Sequence, residues 1–214
     1  MNSQNRKALR SFLCLLLVSS VLLVVSTSAN AAHVQLPNGV WRVYLSREVP
    51  VVTQRTPVWC WAASLSAVFG YLRHPVDQTR IVARYFPPPG ITTGPPWVMR
   101  DALNTTWTDD DGQTFRVSSP ITNFYPPAGP IQVTNVDIIR ALDNEIPVFY
   151  GDSTHAMVLV QTDYIVGPNG MPTILGGGAI DPYPNPMTGV AYGFRPLQPN
   201  EMQGFFAAIP RISN

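Results

Sequence analysis

The sequence predicts a single α+β domain, and three observations predict it. Apolar residues recur at helical spacing in separate stretches between residues 60 and 146. Strand-like apolar and β-branched runs follow from residue 148, and neither a polar linker nor an internal repeat divides the chain. The 22 prolines are spread between apolar segments, which reads as stiff loops rather than a docking tail.

Residues 1–10, MNSQNRKALR, carry three positive charges and no acid; an apolar run from Phe12 to Val25 and the stretch STSANAA follow. This is the layout of a secretory signal peptide over residues 1–31, with Ala29 and Ala31 at the −3 and −1 positions of a cut before Ala32. The apolar run is shorter than the roughly 20 residues of a spanning helix. The alternative is an uncleaved N-terminal anchor. The expectation is a periplasmic or extracellular protein, residues 32–214, without stable membrane association after cleavage and monomeric. Loss of Arg6, Lys7 and Arg10 takes the formal net charge from +1 to about −2 and removes the single lysine. Such a domain lacks the basic cluster that a phosphate backbone needs, so nucleic acid is not an expected partner.

Cysteine usage sharpens the functional question. Cys14 leaves with the signal, so Cys60 is alone in residues 32–214 and can form neither an intramolecular disulfide nor a cysteine-built zinc site. No metal and no cofactor are expected. In an oxidising compartment a lone thiol is either fully buried or there for its chemistry.

The first helix decides between these readings. Pro57 forces Thr56 out of the helical region, and WAASLSAVFGYL follows Cys60 with apolar residues at Trp61, Leu65, Val68 and Leu72. The helix therefore starts near Trp59 or Cys60 and stops near Gly70–Tyr71. A thiol in the first turn meets unpaired N–H groups and the positive helix end, which stabilise the nucleophilic thiolate. An inert buried cysteine fits better in mid-helix.

The remaining elements follow in order. Asp77 starts a short helix over 77–86 that Pro87-Pro88-Pro89 ends, and PPWVMRDALN predicts another. Residues 104–130 are rich in Thr, Asp and Pro, with one strand candidate at Gln113–Ser118. Thr134, three residues before Asp137, starts a helix that ends before Pro147; VFY leads into the turn GDST.

A nucleophile needs a base, and there are three histidines. His33 lies beside the cleavage point and His74 before a proline in a loop. His155 opens the strand HAMVLVQTDYI, where its ring can face a helix terminus packed on the sheet. The chain then turns at VGPNGMPT and returns through ILGGGAI to DPYPNP, which brings Asp181 beside His155 as the group that fixes the ring tautomer. Asp163, eight residues along the strand, is roughly 25 Å away. Asp152 in the preceding loop and Asn185 beyond the strand end are the rivals for that role. Gln54, on the extended segment before the helix, can place its amide across the thiol. With the Cys60 N–H it would make a two-donor oxyanion hole; the alternative is an exposed loop glutamine.

The stretch Gln54-Arg55-Thr56-Pro57-Val58-Trp59-Cys60-Trp61-Ala62-Ala63-Ser64 resembles the active-site segment of papain-like cysteine peptidases. It is most similar to the secreted avirulence peptidases of plant-pathogenic bacteria, whose segment also reads Trp-Cys-Trp-Ala-Ala. Gln54, Cys60, His155 and Asp181 match the family order of oxyanion glutamine, nucleophile, histidine and acid. The resemblance implies an N-terminal helical part with the cysteine and a C-terminal antiparallel sheet with the histidine and acid, the site lying in the groove between. It implies an endopeptidase acting on protein or peptide substrates through an acyl-enzyme. The papain prototype has several disulfides, which this chain cannot form. A transglutaminase-like crosslinking or deamidating enzyme and an inactive papain-like binding module are the rival classes. Three aromatic and proline-rich stretches, Tyr85–Pro89, Pro95–Trp97 and Phe124–Pro127, are candidate walls for an apolar substrate pocket.

Overall fold

The computed structural model describes residues 31–121, 133–151, 154–197, 201 and 206–213. Residues 1–30 of the expected signal segment, Asp152 and the Phe124–Pro127 stretch lie outside the described residues.

Two strands precede any helix: β1 (Ala32–Gln35) and β2 (Trp41–Tyr44). They were not legible as strands because each is four residues long and β1 buries almost nothing on either face. The helical part follows as α1 (Cys60–Tyr71), α2 (Gln78–Tyr85) and α3 (Pro96–Ala102), then the short strands β3 (Thr106–Thr108) and β4 (Thr114–Ser118). The helix α4 (Asn135–Asp143) leads into β5 (Val148–Gly151), β6 (Ala156–Val166), β7 (Pro172–Pro184), β8 (Ala191–Leu197), β9 (Phe206–Ala208) and β10 (Arg211–Ser213). The expected separation of N-terminal helices from a C-terminal sheet is therefore incomplete, because β1 and β2 join the main sheet.

That sheet is organised around β6. One edge of β6 pairs antiparallel with β7, which in turn pairs with β8. The other edge is shared: Ala156–Leu159 pair with β5, and Gln161–Tyr164 pair with β2. The first half of β6, which packs against α1, is apolar, and Ala156–Val160 are all buried. Among the described residues a second sheet has the order β10-β4-β3.

The helix α1 is buried on nearly all sides, with Trp61, Leu65, Val68 and Phe69 at most 2% exposed. Each such side chain contributes about 1.5–3 kcal/mol relative to an exposed one. Phe69 meets Trp107 on β3 and Phe115 on β4, tying the small sheet to the central helix. Caps fix the shorter helices: the Asp77 carboxylate accepts from the Thr79 N–H, and Thr134 and Asp137 form a capping box on α4.

Candidate active site

Cys60 is the first residue of α1, half-buried, and no side chain caps that helix end. The first-turn N–H groups therefore have no intrahelical partner and no competing acceptor from a cap. Ser64 lies one turn later on the same helix face. Its hydroxyl donates to the Ala156 carbonyl at 3.0 Å, pinning α1 to the residue that follows His155. This bond sets the thiol against the imidazole, and Ser64 was not among the expected site residues. A hydroxyl at i+4 from the nucleophile, on a mostly apolar helix, was the available signal.

His155 directly precedes β6. Its Nε2 bonds Asp181 Oδ1 at 2.7 Å across the β6–β7 pair, and Cys60 interacts with the same ring. Burial pulls the imidazolium toward deprotonation, but the bonds to Asp181 and Cys60 outweigh it and raise His155 to about 9. Burial alone would also push the Asp181 carboxyl up. Hydrogen bonds from His155, the Tyr183 N–H and Arg195 instead hold it below the usual carboxylate value. An ionised acid behind a protonatable ring in contact with a thiol is the arrangement that maintains a thiolate–imidazolium pair.

Of the rival orienting groups, Asn185 is engaged elsewhere and Asp152 lies outside the described residues. Asp163 pairs with Arg42 on β2 at 2.7 Å, and Asn185 builds the β7–β8 turn by accepting from the Met187 N–H. His33 bonds Tyr164, and His74 stacks on Phe115 while pairing with the buried Asp109.

Gln54 is buried, not loop-exposed, and its segment is strapped to the site. Its backbone N–H donates to the Pro182 carbonyl, one residue past Asp181, and Gln78 accepts from the Arg55 N–H while donating to the Thr53 carbonyl. The Gln54 amide Nε2 donates to the Thr56 carbonyl at 2.9 Å, which leaves one N–H of that amide for another acceptor.

A cleft of about 150 Å³ opens beside the thiol. Pro57, Val58, Trp61, Met99 and Ala156 supply its apolar wall, and Thr93, Gly94 and Thr154 complete it around Cys60 and His155. The expected Tyr85–Pro89 and Pro95–Trp97 stretches do not line it; of these residues Tyr85 and Phe86 pack instead on the Trp61 ring. The Trp59 indole N–H donates to the Gly90 carbonyl at 2.9 Å, and the Trp61 ring lies against Gly94 while meeting the Tyr85 and Phe86 rings edge-on. The two tryptophans that flank Cys60 thus fix the 90–94 loop over the cleft, one by a hydrogen bond and one by packing.

A helix-borne thiol facing a histidine and acid carried by an antiparallel sheet defines a cysteine peptidase of papain-like architecture. The family model described as papain-like cysteine protease AvrRpt2 matches residues 43–160, more than half of the chain. The chain belongs to that family. Its structure is similar to one described as the crystal structure of a double glycine motif protease from AMS/PCAT transporter in complex with the leader peptide. The identity is 15%, the match covers 78% of this chain and 98% of that one, and the TM-score is 0.41. No curated protein matches.

Proposed function

We propose that this cysteine peptidase is an exported endopeptidase that cleaves internal peptide bonds through an acyl-enzyme at Cys60. The observation that carries the reading is the placement of Cys60 and His155 together at the cleft wall, with Asp181 hydrogen-bonded to the ring at 2.7 Å. In the resting pair the thiolate is the nucleophile and the imidazolium holds the proton. The Sγ attacks the substrate carbonyl carbon, and the developing oxyanion is met by the Cys60 N–H and the free N–H of the Gln54 amide. Collapse breaks the C–N bond as His155 gives its proton to the leaving amine, leaving a thioester. Neutral His155 then takes a proton from water, whose oxygen attacks the thioester carbonyl. Release of the carboxyl product restores the thiolate and imidazolium. Asp181 accepts from the far ring nitrogen throughout and keeps its proton balance unchanged.

The test is incubation of the folded protein with a proteome-derived peptide library, read by mass spectrometry, beside the Cys60→Ala and His155→Ala variants. New internal termini from wild type alone are expected. Incorporation of an added primary amine, or ammonia release without cleavage, would instead identify glutamine acyl transfer. Export is supported by the charged, apolar and small-residue layout of residues 1–31. Terminal sequencing of protein recovered outside the cytoplasm should read Ala32 first.

A further inference from the structure

We propose that Arg195 is a positioning residue of the site, a cation that shares the Asp181 carboxylate with His155 and so limits how tightly the imidazole holds its proton. The inference rests on the assignment of Cys60, His155 and Asp181 given above. Asp181 is buried, and its two oxygens have separate duties: Oδ1 accepts from His155 Nε2 at 2.7 Å and from the Tyr183 N–H at 2.9 Å, while Oδ2 accepts from Arg195 Nε at 2.8 Å. The guanidinium is itself fixed on its other side. Its Nη1 pairs with Glu201 Oε1 at 2.8 Å, and its Nη2 contacts the Met157 sulfur at 3.3 Å.

Register explains how Arg195 reaches this place. Ala179 opposes Arg195 and Asp181 opposes Gly193 across the β7–β8 pair, so Arg195 and Asp181 share one sheet face two positions apart. The neighbour Phe194 points to the other face, where its ring lies over Gly178. The titratable and charged groups around the pair are His155 ahead of β6, Cys60 on α1, Tyr183 on β7, and Glu201.

The electrostatic consequence has a definite sign. A carboxylate facing only the histidine would act on the ring with its full charge. Arg195 offsets part of that charge, and Glu201 offsets part of the charge on Arg195. Removing Arg195 should strengthen the hold of Asp181 on the proton, and removing the Glu201 charge should weaken it. Because the Tyr183 N–H still orients Oδ1, Asp181 keeps its aim without the guanidinium. A merely structural role predicts the reverse: a released Asp181 would swing away and the imidazolium would lose its partner.

The experiment is NMR titration of the His155 ring, which needs no substrate and is resolvable in a chain with three histidines. Arg195→Gln should move the midpoint up by roughly half to one pH unit, the effect of one charge removed a few ångströms from a partly exposed ring. Glu201→Gln should move it down by a smaller amount, and Arg195→Lys should leave it near wild type. An unmoved or lowered midpoint in Arg195→Gln overturns the proposal. Should that variant not fold, a Glu201→Gln midpoint that stays in place or rises overturns it alone. Peptide cleavage by the His155→Ala variant decides the underlying assignment separately: retained cleavage there removes the assignment, whereas lost cleavage with unshifted midpoints removes only the role of Arg195.

Discussion

Adding one methyl group at Gly94 tests the reading that the two tryptophans shape the cleft. A Cβ built at this position would lie 2.5 Å from the Trp61 ring atoms Cγ and Cδ2 and 2.7 Å from Cδ1. Carbon atoms rest about 3.5–4.0 Å apart, so the overlap is about 1 Å. Gly94 is not among the glycines with positive φ, so the effect of Gly94→Ala is steric. Trp61 cannot yield inward, being 2% exposed and backed by Tyr85 and Phe86. The loop must lift instead, working against the Trp59–Gly90 hydrogen bond. Overpacking of this kind costs about 1–3 kcal/mol, or roughly 2–12 °C in Tm for a domain of this size. Displacing a substrate-facing wall by about 1 Å can reduce kcat/KM by up to about 10²-fold. The assays are thermal unfolding, peptide turnover, and the rate of Cys60 alkylation by iodoacetamide. Turnover should fall with alkylation nearly unchanged, because the wall shifts while the Cys60–His155 pair does not. Wild-type stability and turnover would refute the close packing of the loop on Trp61, and a collapse of alkylation would place Gly94 in support of the nucleophile instead.

Cys60→Ala should abolish turnover with Tm little changed, since the site is half-buried and first-turn alanine is well tolerated; iodoacetamide followed by peptide mapping should label Cys60 in wild type faster than a free thiol. His155→Ala should remove nearly all activity. Asp181→Asn should retain more, because an amide oxygen can still orient the ring although Arg195 loses one of its two anionic partners; equal losses in the two variants would contradict the orienting role of Asp181. Gln54→Ala should lower kcat by roughly 10²–10³-fold with a smaller change in KM, and an unchanged kcat would remove Gln54 from the oxyanion hole. Because His155 is raised to about 9, the active imidazolium form should persist through neutrality and disappear as pH rises through that value, giving an alkaline limb near 9 in kcat/KM. The same shift contributes stability that is full below the ordinary histidine value near 6.5 and is lost as pH rises through about 9, which urea midpoints across that window should show.

The sequence by itself determined the parts whose causes are local. Pro57 and the apolar run after Cys60 specify a helix that begins at the thiol, and α1 begins there. Asp77 and Thr134 announce their helices through capping, which acts within one turn. The turn at VGPNGMPT fixes an antiparallel return, and in an antiparallel pair the two strand ends must meet, so Asp181 was legible as a neighbour of His155 before any distance was known.

Tertiary structure decided what depends on register and long-range packing. β1 and β2 carry too little pattern to be seen alone; they are strands because β6 offers an edge beyond the end of β5. The cleft combines Pro57, Val58 and Trp61, next to Cys60 in sequence, with Thr93, Gly94 and Met99 from further along the chain, which carry no distinctive signal of their own, while Tyr85 and Phe86 pack on the Trp61 ring. Nothing in the stretch AYGFRPL marks Arg195, and only the β7–β8 register carries its guanidinium to the second oxygen of Asp181. A side chain's chemistry is written in its identity, but its partner is set by which backbone lies opposite, and that is a property of the folded chain as a whole.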